Sequence, residues 1–600
     1  MSVGLKKRSQ MDKEFQWRIE DLFETDSLWQ EEYEKIKELN AKVREFQGHL
    51  GDSAEKLYQY LRLCDEINRL LERVYVYANQ KSHEDTTNTT YQDLAEKASN
   101  LMMVVNSTGS FAIPEILVIS EEKMESFYKE NQQLLLYRRK IEQIFLDKPH
   151  VLPKEMELLL AEASEMGNVP QNTFSMFNNA DLKFPVIKDE EGKDIEITHG
   201  RYIRLLESPD RRVRREAFLG LYQTYEKFKN TLAGLYSGNV KKEIFYAKAR
   251  KYNSTLEMAL DGSRIPLSVY ENLIEAVHES LPSMYQYMKL RKRALALEEL
   301  HMYDINTPIV TDFNMKVPFE EAKKLVAEGL KPLGEEYLNI LTEGYADGWI
   351  DVYENEGKRS GAYSWGAYGT HPFVLLNYQD NLNNVFTLAH EMGHAIHSYY
   401  SDATQPYPYA GYRIFVAEVA STCNEALLMA HLIKNAKEER EKAYLINYHL
   451  DQFRSTLFRQ TMFAEFEMIT HKMAEDGQPL TVDTLCSLYY DLNKKYFGEA
   501  VMIDKDIEME WARIPHFYNS FYVYQYATGY SAAIALSEKI LTEGQEAVEK
   551  YVKNFLKGGS SKDPIDLLKG AGVDMSTKEP VKEALNVFAG LVEQLDQLIK

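Results

Sequence analysis

The sequence predicts a mainly α-helical protein with two lobes. Amphipathic segments with a helical period alternate with short breaks from residue 27 to about residue 180, as at residues 48–53 and 147–153. A chain of 600 residues exceeds the size of one hydrophobic core, so at least two packed lobes are expected. Hydrophobic residues make up 44% and charged residues 27% of the chain, which is typical of a soluble globular protein.

A β-hairpin is predicted at residues 184–197, where a polar turn separates two short segments. A helix is expected to begin directly after it, because residues 208–210 supply an N-cap and a proline for the first turn. We place the lobe boundary at the hairpin. Residues 1–200 then form an N-terminal helical lobe that ends in the hairpin, and residues 201–600 carry the motifs described next.

The most informative motif is a His-Glu-x-x-His run formed by His390, Glu391 and His394. A helix has about 3.6 residues per turn, so positions i and i+4 share a face and both imidazoles can bind one zinc ion. Glu391 then lies beside the metal as a base. The apolar residues 385–389 before the motif favour a buried helix start.

A catalytic zinc ion needs a third protein ligand in addition to a water molecule. His397 lies on the same face, but a rise of about 1.5 Å per residue puts it roughly 10 Å from His390, so we interpret it as a supporting or core residue. On the next helical segment, residues 415–428, Glu418 lies among small and apolar residues that allow a close approach between helices. We therefore assign Glu418 as the third ligand.

Glu425 lies two helical turns after Glu418, on nearly the same face. This position suits a second-shell residue that accepts the free ring N–H of a zinc-bound histidine. An ordinary ion-paired or capping acid is the alternative interpretation.

Short strands are predicted just before the zinc helix. Residues 349–353 and 362–365 predict a hairpin through the polar turn at 357–361, and residues 371–378 predict another strand. An extended peptide can add to the exposed edge of such a small sheet. A hairpin that only packs on the helices remains the alternative.

Hydrogen-bond donors are concentrated in a tyrosine-rich block after the zinc motifs. His516, Tyr522, Tyr526 and Tyr530 could donate to a carbonyl oxygen as it becomes an oxyanion, and the three tyrosines recur every four residues on a helical face. Taken alone, such a stripe is also compatible with core packing.

Residues 390–397, the segment around Glu418, and residues 511–518 and 521–530 together resemble oligoendopeptidase F, the bacterial branch of the thimet-oligopeptidase-like zinc metallopeptidase family. The resemblance extends along nearly the whole chain. It implies a helical, two-lobed zinc peptidase with a deep substrate channel, a small β-sheet beside the active site and cleavage inside short unstructured peptides.

The resemblance also implies roles for individual residues. His516 and Tyr530 polarise the substrate carbonyl, and Tyr522 and Tyr526 bind substrate, although the choice among Tyr522, Tyr524 and Tyr526 stays open. The family uses a glycine-containing strand and loop near the zinc ion, which makes Gly361, Ala362 and Tyr363 substrate contacts.

The expected function is that of a zinc-dependent endopeptidase that hydrolyses internal bonds of short oligopeptides through a metal-activated water. One Zn²⁺ per chain is expected, held by His390, His394 and Glu418. Glu391 accepts the proton from the attacking water and carries it to the leaving amine.

The expected partners are short peptide substrates. The net charge of −22 disfavours nucleic acid and an anionic membrane surface as partners. Three cysteines without metal-type spacing, and no apolar segment behind the basic residues at the N-terminus, predict a cytoplasmic protein. The sequence leaves the oligomeric state open.

Three other functions compete with this interpretation. A zinc aminopeptidase commonly has a Gly-x-Met-Glu-Asn run, which this chain lacks. A dipeptidyl carboxypeptidase needs a cation for the substrate C-terminus, and Arg513 or Arg413 could serve. A peptide-binding protein without catalysis would have no need of Glu391, which is present.

Overall fold

The computed structural model describes residues 4–310 and 315–599. The helices are α1 (Asp26–Val43), α2 (Ala54–Glu84), α3 (Thr89–Thr108), α4 (Ala112–Val118), α5 (Glu121–Glu130), α6 (Arg138–Leu146), α7 (Lys154–Gly167), α8 (Val169–Met176), α9 (His199–Leu206), α10 (Arg211–Glu226), α11 (Lys229–Ala249), α12 (Thr255–Asp261), α13 (Leu267–Ala294), α14 (Phe319–Gly329), α15 (Gly334–Ala346), α16 (Leu382–Thr404), α17 (Tyr407–Ala410), α18 (Ile414–Asn435), α19 (Glu439–Gln452), α20 (Arg459–Glu475), α21 (Val482–Phe497), α22 (Tyr524–Glu543), α23 (Gln545–Tyr551), α24 (Pro564–Gly570) and α25 (Glu579–Leu598). The strands are β1 (Val186–Lys188), β2 (Asp194–Glu196), β3 (Leu300–His301), β4 (Ile350–Asp351), β5 (Tyr363–Trp365), β6 (Phe373–Leu375) and β7 (Val501–Met502). The predicted mainly α fold is confirmed.

The chain divides into two compact units. Unit 1 comprises Met1–Pro149, Asn314–His431 and Leu536–Gly572, and unit 2 comprises His150–Phe313, Leu432–Ala535 and Val573–Lys600. The boundary expected after residue 200 would divide the chain into two continuous segments, whereas each unit consists of three separate segments. The two units follow three-dimensional packing, which joins segments that lie far apart in sequence.

Unit 1 contains α16 and a three-stranded sheet of order β4-β6-β5. β4 pairs in parallel with β6, and β5 pairs antiparallel with β6. The predicted hairpin between residues 349–353 and 362–365 is therefore wrong, because β6 lies between those two strands. Both β5 and β6 pack against α16, so the sheet lies beside the helix that carries the His-Glu-x-x-His motif.

Unit 2 has an aromatic helical core. Tyr222, Tyr225, Tyr236, Tyr270 and Tyr489 are all fully buried in it. The helices that supply them are α10, α11, α13 and α21, and α20 packs among these.

The predicted hairpin is confirmed as the antiparallel pair β1–β2 in unit 2, with Gly192 in the turn at φ +77°. The helix expected after it differs in its first residues. Asp210 is the N-cap of α10, where its side chain accepts from the backbone N–H of Arg212 at 2.8 Å, and Pro209 lies outside the helix. Asp210 therefore takes the capping position because the helix starts two residues later than Pro209.

The stretch Thr89–Val118, which contains α3 and α4, is long and apolar enough by length and composition to cross a membrane, and 28% of its most apolar window is buried. Soluble proteins also contain helices of this length and composition.

Candidate metal centre and active site

The His-Glu-x-x-His motif lies in the middle of α16, as predicted. Asn381 caps the helix by accepting from the backbone N–H of Asn384 at 3.0 Å, which fixes the start of the helix two turns before the motif. The rings of His390 and His394 lie 4.8 Å apart, centroid to centroid. The i, i+4 spacing thus presents both imidazoles on one helix face.

A glycine inside the motif brings α16 and α18 together. A Cβ atom at Gly393 would lie 2.5 Å from the Cα of Ser421 and 3.0 Å from the carbonyl oxygen of Ala420. Real Cβ atoms do not approach a neighbouring backbone so closely. The small residues before Ser421 in α18 therefore allow the close helix approach that the sequence predicted.

Asn424 holds the two helices in register. It is fully buried, and its side-chain amide donates to the carbonyl oxygen of Ala389 in α16 at 3.1 Å. The hydroxyl of Tyr337 donates to the amide oxygen of Asn424 at 2.9 Å. Sequence reasoning missed this residue, although a polar side chain within the apolar face of α18 was a signal for it.

Glu418 of α18 completes a set of three possible metal ligands with the two histidines. One ligand atom from each residue lies within 4.8 Å of the others. The Oε2 atom of Glu418 lies 3.2 Å from Nε2 of His390 and 3.5 Å from Nε2 of His394. Ligands bonded at about 2.1 Å around a tetrahedral zinc ion lie roughly 3.4 Å apart, so this donor set fits such an ion.

Glu425 contacts the first histidine as predicted. The Nδ1 atom of His390 lies 2.6 Å from Oε1 of Glu425, so the imidazole donates there and its Nε2 atom is left as the ligand nitrogen. Close contact with the imidazoles of His390 and His394 holds the pKa of Glu418 well below its usual range, despite the opposing effect of burial. The acid is therefore ionised, as a metal ligand must be.

Glu391 is 7% exposed and lies in the buried side of α16. Burial raises the pKa of its carboxyl, and the neighbouring His390 and His394 oppose that effect. A carboxylate with a raised pKa accepts a proton more readily near neutral pH, which suits a general base.

His397 is a core residue. It is 1% exposed, and its ring stacks on Tyr412 at 3.9 Å and on Phe555 at 5.0 Å. Burial lowers the pKa of His397 to about 3, so the imidazole is neutral. The predicted exclusion of His397 from the ligand set agrees with this position.

The predicted substrate strand lies at the edge of the sheet in unit 1. Tyr363 is the first residue of β5, which pairs with β6 on one side only among the described strands. Gly361 has φ +87°, and a Cβ there would meet no atom within 4 Å. Ala362 connects the two and is half-buried. The hydroxyl of Tyr363 lies 2.7 Å from Nδ1 of His83, so its side chain is held by α2 while its backbone stays at the sheet edge.

Unit 2 gathers three of the four predicted donors. The ring of His516 lies 6.2 Å from that of Tyr522 and 5.9 Å from that of Tyr526, and the two tyrosine rings lie 5.4 Å apart. The helix α22 begins at Tyr524, so Tyr522 precedes it and the predicted helical repeat through Tyr522 is wrong. Tyr522 reaches the cluster because the chain turns at Phe521, where φ is +59°.

Tyr530 lies two turns into α22 and is 7% exposed, with its ring packed edge-on against Phe453 at 5.0 Å. Glu467 is a further residue that sequence reasoning missed. Its carboxyl accepts from the backbone N–H of Phe521 at 2.9 Å and so supports the turn that places Tyr522. An acid within the apolar run of α20 was the available signal.

Comparison with known protein families matches two regions of the chain. Residues 204–587 match the model of peptidase family M3, and residues 115–184 match the model described as Oligopeptidase F. The hairpin β1–β2 lies between the two matched regions.

Relatives and solved structures agree with these matches. The chain is 51% identical to oligopeptidase PepF of Bacillus subtilis over 99% of this chain and 88% of that protein, and 43% identical to group B oligopeptidase PepB of Streptococcus agalactiae over 99% and 98%. Its fold is similar to that of a putative peptidase from Chlamydophila abortus, with a TM-score of 0.93 and 36% identity over 99% of this chain and 100% of that one. It is also similar to oligoendopeptidase-F from Enterococcus faecium, with a TM-score of 0.74 and 40% identity over 96% and 99%. The chain therefore belongs to peptidase family M3, in its oligoendopeptidase F branch, and is a metalloendopeptidase that acts on oligopeptides.

Proposed function

We propose that this metallopeptidase uses one zinc ion per chain, held by His390, His394 and Glu418, to hydrolyse internal bonds of short unstructured peptides. The observation that carries the proposal is the donor geometry. Two imidazole nitrogens lie 3.2 and 3.5 Å from one carboxylate oxygen, close to the separation of ligands in a tetrahedral zinc site.

The donor set favours zinc among the divalent metals. Two imidazoles and one carboxylate suit a tetrahedral zinc site with one open position, whereas magnesium and calcium prefer sites built from oxygen ligands. When bound, the ion supplies Lewis-acid polarisation of a water molecule and of the scissile carbonyl. Glu425 accepts a hydrogen bond from Nδ1 of His390. It so fixes the tautomer in which Nε2 of His390 is free to bind the metal.

Glu391 is proposed as the proton carrier. Burial raises the affinity of Glu391 for a proton, so it can take one from the attacking water and give it to the amine that leaves. The reaction then needs no covalent bond between substrate and enzyme.

Substrate contacts are proposed at two places. In unit 1, the edge of β5 offers the backbone of Gly361, Ala362 and Tyr363 to an extended peptide. In unit 2, His516 and Tyr530 are proposed to donate to the carbonyl oxygen as charge develops on it, a type of contact whose loss typically costs about 10²- to 10³-fold in rate. Tyr522 and Tyr526 adjoin His516 and are proposed to bind substrate.

The test is cleavage of an internally quenched peptide that is blocked at both ends, with the fragments identified by mass. We expect internal cleavage that stops on chelation and returns with about one equivalent of zinc. Glu391→Gln should bind zinc normally and lose cleavage, because the amide cannot accept the proton. Glu439→Gln, an exposed acid at the start of α19, is the matched control and should cleave at the wild-type rate.

Two outcomes would contradict the proposal. Zinc-loaded protein that trims peptides with free ends but leaves a varied panel of blocked peptides intact is an exopeptidase. If Glu391→Gln cleaves blocked peptides as fast as the wild type, the assigned base is wrong.

A further inference from the structure

Unit 2 contains a cavity of about 830 Å³ whose wall includes His516. Cavities of this size commonly bind small ligands or parts of larger ones. Aromatic rings from Tyr202, Phe218 and Phe463 line part of the wall, and charged groups line another part. The arrangement of those charges indicates what the cavity can bind.

Two arginines in the wall share one carboxylate. Oε1 of Glu510 accepts from Nη2 of Arg459 at 2.5 Å and from Nη2 of Arg513 at 3.0 Å. The hydroxyl of Tyr489 donates to the other oxygen of Glu510 at 2.6 Å. Burial opposes ionisation of Glu510, but the two arginines outweigh it and hold its pKa at about 2. Two cations face one anion here, so one positive charge is left unbalanced.

The other charged side chains of the wall are Glu207, Asp451 and Arg454. Oδ1 of Asp451 accepts from Nε of Arg454 at 3.1 Å and lies 3.4 Å from Nη1 of Arg291. Glu207 is the other acid of the wall, and its pKa is raised by burial and by the charge of Asp451. Arg291 does not line the cavity, so the wall carries three acids and three arginines in all. At the cluster of Arg459, Arg513 and Glu510, the arginines outnumber the acid two to one.

Arg459 is the member of this cluster that can bind a ligand. Its side chain is 27% exposed, compared with 18% for Arg513 and 7% for Glu510. The guanidinium group lies over the ring of Phe463 at 4.4 Å, and within the described residues its hydrogen bond to Glu510 uses only one of its five donors. Arginine's planar group matches the geometry of a carboxylate. Burial, and to a smaller extent the charge of Arg459, lower the pKa of His516.

We propose that Arg459, held in place by Glu510, binds a carboxylate of the peptide substrate in this cavity. The inference rests on the proposed peptidase function, because peptides carry carboxylates as their common anions. The carboxylate is either the C-terminus of the peptide or the side chain of an aspartate or glutamate. Arg459 is therefore a specificity-determining residue, distinct from the residues that act on the scissile bond.

The test compares matched peptides that differ in one carboxylate. One pair has a free or an amidated C-terminus, and the other pairs exchange aspartate for asparagine at each position in turn. We expect the wild type to prefer the carboxylate form of at least one pair by about 10-fold or more in kcat/KM. A preference confined to the first pair identifies the C-terminus as the ligand, and one confined to a position identifies a side chain.

Three variants assign the preference to this residue. Arg459→Gln should reduce the ratio to near one, while Glu510 stays paired with Arg513 in the core. Arg459→Lys should retain part of the ratio because it keeps the charge. Arg293→Gln, which removes an exposed arginine paired with Asp596 in the same unit, should leave the ratio unchanged. Thermal unfolding of each variant checks that it folds.

The preference is also measured as binding of the same peptides, labelled with a fluorophore, to zinc-loaded Glu391→Gln protein. If the wild type cuts no peptide, the proposed function fails and the binding ratio alone decides the inference. If the two peptides of every pair bind equally well and the wild type cuts them with equal kcat/KM, the proposed role of Arg459 is wrong. A preference that persists undiminished in Arg459→Gln would place the carboxylate elsewhere.

Discussion

Replacing Gly393 with alanine should separate the two helices that carry the proposed metal ligands. The added Cβ would lie 2.5 Å from the Cα of Ser421, whereas carbon atoms in contact lie about 3.5–4.0 Å apart. Neither neighbour is the flexible end of a side chain, so the backbones of α16 and α18 must part by about 1 Å. His390 and His394 move with one helix and Glu418 with the other.

That displacement exceeds what a zinc site tolerates. Ligand distances hold within about 0.2 Å of their ideal values, so a shift of about 1 Å removes Glu418 from the coordination sphere. We expect zinc affinity to fall at least 10- to 100-fold, with a loss in unfolding free energy of about 1–3 kcal/mol from overpacking. The gain in helix propensity from glycine to alanine, about 1 kcal/mol, offsets only part of that loss.

Competition with a fluorescent chelator measures the zinc dissociation constant, and thermal unfolding measures stability. Gly234→Ala is the matched control, because that glycine lies in α11 and an added Cβ would meet no atom within 4 Å. It should bind zinc as the wild type does and be slightly more stable. Unchanged zinc affinity in Gly393→Ala would refute the reasoning that close helix approach places Glu418.

Three further outcomes are expected. Glu425→Ala should weaken zinc binding about 10- to 100-fold, measured by the same chelator competition, because His390 loses the acceptor that fixes its tautomer; an unchanged dissociation constant would make Glu425 an ordinary acid. Asn424→Ala should lower the free energy of unfolding by about 1–3 kcal/mol in urea titrations, because it removes the acceptor of the buried Tyr337 hydroxyl and the hydrogen bond to the Ala389 carbonyl. Burial raises the pKa of Glu467 to about 8, so between about pH 4.3 and 8 the folded chain keeps a proton that the unfolded chain has lost, and stability falls as pH rises. Glu467→Gln should remove that dependence. The unfolding free energy of the variant, relative to that of the wild type, should therefore rise by roughly 3 kcal/mol from pH 5 to pH 8. Parallel pH profiles of the two proteins would contradict this expectation.

The candidate metal centre was predictable from the sequence because the features that build it are local. The i, i+4 spacing of His390 and His394 places two ligands on one face, and an acid among small residues on the next helix supplied the third. Gly393 and Ser421 then set the distance between the helices. These features depend on local periodicity and residue size, which a single sequence contains.

The sheet was harder to predict because strand pairing is not local. Residues 349–353 and 362–365 have a polar turn between them, as a hairpin should, yet β6, from residues further along the chain, inserts between them. Parallel pairing of β4 with β6 needs a long connection, and no pattern within either segment signals it. The discontinuous composition of units 1 and 2 has the same origin, since packing between distant segments leaves no mark in local composition.

One backbone angle, φ of Phe521, keeps Tyr522 out of the helix that its spacing from Tyr526 predicted. The spacing of four between Tyr522 and Tyr526 predicted one helical face, but a residue with positive φ at Phe521 ends any helix before Tyr522. A phenylalanine adopts that conformation only where its surroundings require it, and here its N–H is bound by Glu467 and its ring packs on His471 at 4.5 Å. Strain of this kind is retained where it places a functional group, and its effect is to bring Tyr522 against His516. Because glutamine can still accept the Phe521 N–H, Glu467→Gln should keep this geometry while it changes the pH dependence of stability, so the two roles of Glu467 can be measured separately.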